Sequence, residues 1–190
     1  MDGEIHRKRS ETLDGLDPGH TWEKLVRYQT IIATGGYIGL RAKELLHLNW
    51  FDIIDKTQHQ VFQFKTSTKR KVYFAPSYIK IADRNFKLID PDNIHHLIIH
   101  RQDNPMEAIS TNQFNTAFRM YLKKFNVDTP TPSSHTLRKT YMNHFWQLAG
   151  GTEEAYITLA RDMNYKSIQQ VKDYLGHTRR KIKETIVKFK

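Results

Sequence analysis

The sequence predicts a mainly α-helical domain carrying one small antiparallel β-sheet, an α+β fold. Three observations predict it. Apolar residues recur at helical spacing through most of the chain, most plainly Phe114, Phe118, Tyr121, Leu122 and Phe125 on one face of residues 112–125. Only VFQFKTSTKRKVYF (61–74) alternates at strand period, in two arms about a polar turn. No internal repeat or low-complexity tract interrupts the 190 residues, 38% of them hydrophobic, which is enough for one domain with a sizeable core.

In chain order, residues 1–20 are polar and end near Pro18 and Gly19, as an N-terminal arm or linker would. A helix runs from Trp22, capped by Thr21, with Leu25, Val26, Ile32 and Ala33 at helical period, and Gly35 and Gly36 are expected to break it. A second short helix spans about Arg41 to Leu48, with Leu45 and Leu48 inward. In the hairpin, Phe62, Phe64, Val72 and Phe74 are expected to share one alternating face. PSYIKIAD (76–83) reads as a helix, and PDNIHHLIIH (91–100) opens on a Pro-Asp turn and carries an apolar stripe of Ile94, Leu97 and Ile98. After the helix at 112–125 and the loop TPTPSS, helices follow near 135–149, 153–163 and 167–175. Gly150 and Gly151 punctuate the first, and Gly176 ends the third as the residue after its C-terminus. Tyr141 and Trp146 are core residues, and Trp50 is placed beneath the hairpin.

Composition narrows the function. The absence of cysteine excludes disulfides and thiolate zinc sites and fits a reducing compartment. No apolar run approaches bilayer length, and MDGEIHRKRSE has no apolar core of the signal-peptide kind, so a cytoplasmic, nucleoid-associated protein is expected. Thirty Lys and Arg oppose 20 Asp and Glu, a formal charge of +10. Residues 166–190 carry eight of the cations against Asp173 and Glu184, without the aromatic-anchored apolar face of a membrane-surface helix. A polyanion, nucleic acid, is the partner this charge attracts. His96 and His100 stand four residues apart beside His95, but no third ligand has motif spacing, so no metal site is expected.

Four stretches carry chemistry together. GLRAKELLHLNW (39–50) puts Arg41 at a helix start and Glu44 one turn later. FKTSTKRKVYF (64–74) puts Lys65 at a strand end beside a basic turn, HTLR (135–138) supplies His135 and Arg138, and YLGH (174–177) places His177 just past Gly176. Each has an ordinary reading alone: a surface ion pair, a solvated hairpin tip, a packed histidine, a cation at a helix C-terminus. In this order, the Gly-Leu-Arg-x-x-Glu-Leu, His-x-Leu-Arg and Leu-Gly-His segments around a Lys-bearing hairpin resemble the catalytic domain of the tyrosine recombinases, the phage-integrase family, over roughly residues 20–190. The resemblance implies a catalytic domain over 21–190, with the family's separate N-terminal DNA-clamping domain absent.

It also implies a mechanism. Cleaving a DNA phosphodiester passes through a crowded, negatively charged phosphorane, so charge stabilisation is the main need. Arg41 and Arg138 would donate paired N–H groups to non-bridging oxygens, and His177 would add a third donor. His135 would accept the nucleophile's proton or donate to the phosphate, and Lys65 would protonate the leaving 5′ oxygen. Glu44 would orient Arg41. A tyrosine would attack to form a 3′-phosphotyrosyl link, which retains the bond energy for rejoining, so neither metal nor nucleotide cofactor is required. Arg41, Lys65, His135, Arg138 and His177 are expected to converge on one basic concave face. DNA contacts are expected from Lys69, Arg70 and Lys71 at the hairpin, from Lys139, and from Arg179, Arg180 and Lys181. The partner is double-stranded DNA, bound as a homotetramer by a chain that is monomeric alone, with the tail 178–190 displaced or swapped.

The sequence departs from the family in two places. Residues 152–165 stand as an insertion between HTLR and LGH. The family's tyrosine falls about nine residues after the Leu-Gly-His histidine, where this chain has Ile186, and no tyrosine follows Tyr174. Phe189, an isostere lacking the hydroxyl, stands nearby as the position of the nucleophile. Phe189 is then an introduced replacement, or the natural protein binds DNA without cutting it, or the tyrosine lies beyond Lys190. The five intact positions favour the first and the last. Two other functions stay open, an inactive DNA-binding relative and a type IB topoisomerase-like nicking and rejoining enzyme.

Overall fold

The fold is that of a computed structural model, which describes residues 22–177. Thr21, the arm at 1–20, Arg179, Arg180, Lys181, Ile186, Phe189 and the rest of the tail at 178–190 lie outside the described residues. Seven α-helices are present among the described residues: α1 (Trp22–Ile38), α2 (Ala42–Leu46), α3 (Pro76–Ile89), α4 (Thr111–Lys124), α5 (Ser134–Leu148), α6 (Glu153–Asp162) and α7 (Ile168–Leu175). One antiparallel hairpin, β1 (Gln58–Gln63) and β2 (Thr68–Tyr73), lies between α2 and α3. None of these helices is long and apolar enough to cross a membrane.

Two apolar clusters build the body. The larger joins α1, α2, the hairpin, α3 and α4 around Ile31, Leu45, Trp50, Tyr78, Ile98 and Phe114. The smaller joins α5, α6 and α7 around Met142, Leu159, Met163 and Val171. Helix α5 spans both, since Leu137 belongs to the first and Met142 to the second. The segment after α3 is not helical. It runs through turns and bends against residues 48–51, with the Ile98 N–H donating to the Leu48 carbonyl at 3.0 Å and the Phe51 N–H to the Ile94 carbonyl at 2.9 Å. Its apolar stripe is thereby buried at Leu97 and Ile98 without a helix to present it.

Four expectations need correction. Gly35 and Gly36 do not break α1, which runs through both to Ile38. Tertiary contact outweighs glycine's weak helix propensity, because a Cβ on Gly35 would lie 2.7 Å from Leu137 Cδ1 and the two helices could not approach as closely. The helix stops instead at Gly39, whose φ of +68° suits glycine. In β1 the inward residues are Val61 and Gln63, while Phe62 and Phe64 face outward. The register sets Val61 opposite Arg70 and His59 opposite Val72, and a one-residue error of parity turns every side chain over. Phe125 caps α4 and is 60% exposed, beyond the buried stripe of Phe114, Phe118 and Tyr121. Helix α5 begins at Ser134 rather than near 135 and is capped by Ser133, and Ser134 is buried with its N–H on Asn115 Oδ1.

Candidate functional site

Arg41 sits in extended backbone just ahead of α2. The Glu44 carboxylate, buried to 2% exposure, accepts the Arg41 backbone N–H on Oε2 at 2.9 Å and the Nη1–H on Oε1 at 3.0 Å. A buried carboxylate is tolerable only with such charge-assisted partners, and the two bonds together fix both the backbone and the guanidinium of Arg41.

Arg138 lies one turn into α5 and is buried, at 3% exposure. Its Nη1 donates to the Gly39 carbonyl at 2.7 Å and its Nη2 to the Met163 carbonyl at 3.2 Å. Both acceptors stand at helix C-terminal ends, α1 and α6, where unpaired carbonyls concentrate negative potential. The guanidinium plane is thus suspended between two chain segments. Burial pushes its pKa below the ordinary arginine value, Tyr165 opposes, and the charges of Arg41 and Arg70 push it further down. Positive charge is therefore concentrated here, beyond what Glu44 and Asp162 neutralise.

The His-x-Leu-Arg and Leu-Gly-His segments meet because α7 docks on the start of α5. The Tyr174 hydroxyl donates to the His135 carbonyl at 3.3 Å, and a Cβ on Gly176 would lie 3.8 Å from Lys139 Nζ. Burial pushes the Tyr174 hydroxyl up to about 12, Tyr165 adds to this, and Arg138 and Arg41 oppose it, which places Tyr174 in the field of both arginines. The His135 side chain is exposed one turn before Arg138. His177 is half-buried; its Nδ1 is 2.7 Å from the Tyr156 hydroxyl and its ring centroid 4.5 Å from that of Trp146. The segment that reads as an insertion is thus helix α6, and it supplies the contact that orients His177.

Lys65 stands exposed in the turn beyond β1. Lys69 and Lys71 are exposed beside it, and Lys139 is exposed on α5. Arg70 corrects the expectation of a solvent-facing tip cation. It is buried and pairs with Asp162, Nε to Oδ1 at 3.1 Å and Nη2 to Oδ2 at 2.6 Å. Strand alternation turns it to the face shared with Val61 and Val72. Tyr156, Asp162 and Tyr165 were not legible as site neighbours, because their partners lie far away in sequence. Tyr174, adjoining Leu-Gly-His, was the one with a local signal. Among the described residues, no group of three or more His, Asp or Glu is placed to hold a metal ion. Chemically, the arrangement offers charged N–H donors fixed by carbonyl and carboxylate partners.

The sequence profile of the phage integrase family matches residues 20–181. No curated protein sequence matches the chain. Among solved structures, the chain is similar to the XerH site-specific recombinase bound to palindromic difH substrate in a post-cleavage complex, with TM-score 0.63, 15% identity and 98% of this chain covered. It is also similar to the XerA recombinase, with TM-score 0.62, 18% identity and 93% of this chain covered. A third is the Tn1549 transposon integrase in complex with circular intermediate DNA, with TM-score 0.54, 18% identity and 90% of this chain covered. The chain spans 52% of the XerH structure and 59% of each of the other two, so it corresponds to a little over half of each. At these identities the likeness is one of fold.

Proposed function

The chain belongs to the phage integrase family of tyrosine recombinases, and from that premise we propose that it is the catalytic part of a site-specific recombinase that cuts and rejoins duplex DNA through a 3′-phosphotyrosyl intermediate. The observation that carries this reading is the suspended Arg138 guanidinium, with the Glu44-braced Arg41 close enough to act on its charge. Arg41 and Arg138 bind the non-bridging oxygens of the scissile phosphate, and His177 adds a donor held in place by Tyr156 and Trp146. A tyrosine oxygen attacks phosphorus and yields its proton to His135. The new P–O bond forms as the bond to the 5′ oxygen breaks, and that oxygen takes a proton from Lys65 as the hairpin closes over the phosphate. The duplex, held by a homotetramer, is also contacted by Lys69, Lys71, Lys139, Arg179, Arg180 and Lys181.

A second reading rests on the family's nucleophile position, where this chain has Ile186 with Phe189 nearby: a DNA-binding relative that does not cut. One experiment separates the two. Phe189 cannot attack phosphorus, so the unmodified chain should form no covalent adduct with a suicide duplex nicked near its cleavage site. Phe189→Tyr should accumulate a denaturation-resistant adduct mapping to that residue, with Ile186→Tyr as the alternative register. Adding Arg138→Ala should reduce the adduct about a hundredfold or more, the usual cost of losing one donor to a developing oxyanion. Binding of a cognate duplex with no adduct from either variant establishes the DNA-binding relative instead.

A further inference from the structure

Of the hairpin cations, Arg70 alone turns inward. Its Nη2 donates to the Ile38 carbonyl at 3.1 Å as well as to Asp162. Arg138 takes the next residue along in each case, the Gly39 carbonyl and the Met163 carbonyl. The two guanidiniums are therefore hung side by side between the same pair of chain segments, Ile38–Gly39 at the end of α1 and Asp162–Met163 at the end of α6. Only one of the two has a carboxylate.

An ordinary packing role does not account for this arrangement. An apolar side chain in β2 would tie the hairpin to α6 without the cost of desolvating a guanidinium that is buried on its own side of a half-buried ion pair. Arg70 Nη1 is buried with no hydrogen-bond partner, a further cost. Its charge also acts unfavourably on Arg138. What a bidentate guanidinium–carboxylate pair supplies, and an apolar contact does not, is a fixed distance and a fixed plane.

Resting on the reading of Arg138 as a phosphate ligand, we propose that Arg70, paired with Asp162, is a positioning residue that sets the spacing of the two segments suspending Arg138 and ties the Lys65-bearing hairpin to them. Arg70 itself touches no phosphate. It converts the seating of β2 into the placement of Arg138, 68 residues further along the chain.

The test follows the guanidinium protons of Arg138 by NMR in the full chain, assigned by their disappearance in Arg138→Lys. With both terminal nitrogens bonded to carbonyls, their exchange with solvent should be slow. Arg70→Met and Asp162→Asn should each speed that exchange by about tenfold or more, as expected when a charged hydrogen bond no longer supports it. Arg70→Lys should fall between, since an ammonium cannot make the bidentate pair. Backbone amide protection in α4 serves as the reference for an intact fold. Asp162→Asn preserves the shape of the pair and carries the test if Arg70→Met fails to fold. Unchanged Arg138 exchange in a folded variant overturns the proposal and leaves Arg70–Asp162 a simple tie. So does faster exchange with undiminished adduct when Asp162→Asn is combined with an adduct-forming tyrosine variant. The exchange measurement contains no DNA, so absence of adduct from every tyrosine variant overturns the recombinase reading separately.

Discussion

At the scale of single residues, burial sets the pH behaviour of this protein more than ion pairing does. His100 is half-buried, and its Nδ1–H donates to the Arg101 carbonyl at 2.7 Å. Burial holds its pKa below the usual 6.5; the Arg101 carbonyl and Glu23 oppose this, and Arg27 and His96 add to it. His59 is lowered in the same sense, by burial first and by Lys56, against Asp52. Its 3.3 Å contact with the Asp52 carboxylate does not outweigh the burial. The folded chain therefore binds these protons less readily than the unfolded chain. Their contribution to stability is complete above the unfolded value and is lost as pH falls through the folded one. Urea denaturation should give a lower midpoint at about pH 5.5 than at about pH 7.5, and His100→Gln should reduce that difference. An unaltered difference in the variant would show that His100 does not contribute.

At the scale of elements, the packing of α1 on α5 decides where Arg138 stands, and two adjacent glycines test it. Gly35 faces α5, and a Cβ there would meet Leu137 Cδ1 at 2.7 Å and Leu137 Cβ at 2.9 Å. Gly36 faces open space, with nothing within 4 Å. Gly35→Ala should destabilise by about 1–3 kcal/mol, as overpacking does. Gly36→Ala should stabilise by about 0.5–1 kcal/mol, since it removes glycine's entropy cost in a helix without a clash. Thermal or urea unfolding of the two variants checks the opposite signs. Two substitutions of the same sign would mean that α1 and α5 can separate to admit the extra methyl. The hairpin illustrates the same dependence: its existence follows from alternation in 61–74, but its facing was legible only from pairing, which put Phe62 and Phe64 outside.

At the scale of the molecule, a formal charge of +10 favours duplex DNA through counterion release, and affinity should fall steeply with salt. The exposed tip lysines should carry part of that dependence. Replacing Lys69 and Lys71 with Gln should flatten the slope of log K against log salt by about 0.9 for each phosphate that the variant no longer neutralises. Titrations at several salt concentrations read this directly, and an unchanged slope would remove the hairpin tip from the interface. By itself the sequence determined the helical class, the single hairpin, and the Gly-Leu-Arg, His-x-Leu-Arg and Leu-Gly-His segments with their order, because these reside in local periodicity and in short motifs. It also determined the Arg41–Glu44 pair, whose partners are one turn apart. Only the tertiary structure decided that Arg138 hangs from Gly39 and Met163, that Arg70 turns inward to Asp162 92 residues away, and that the α6 segment braces His177 through Tyr156. The physical reason is that a buried guanidinium or imidazole takes its partners from whatever carbonyls and carboxylates packing brings within about 3 Å. That choice is made between helix ends and strand faces whose separation along the chain leaves no local trace.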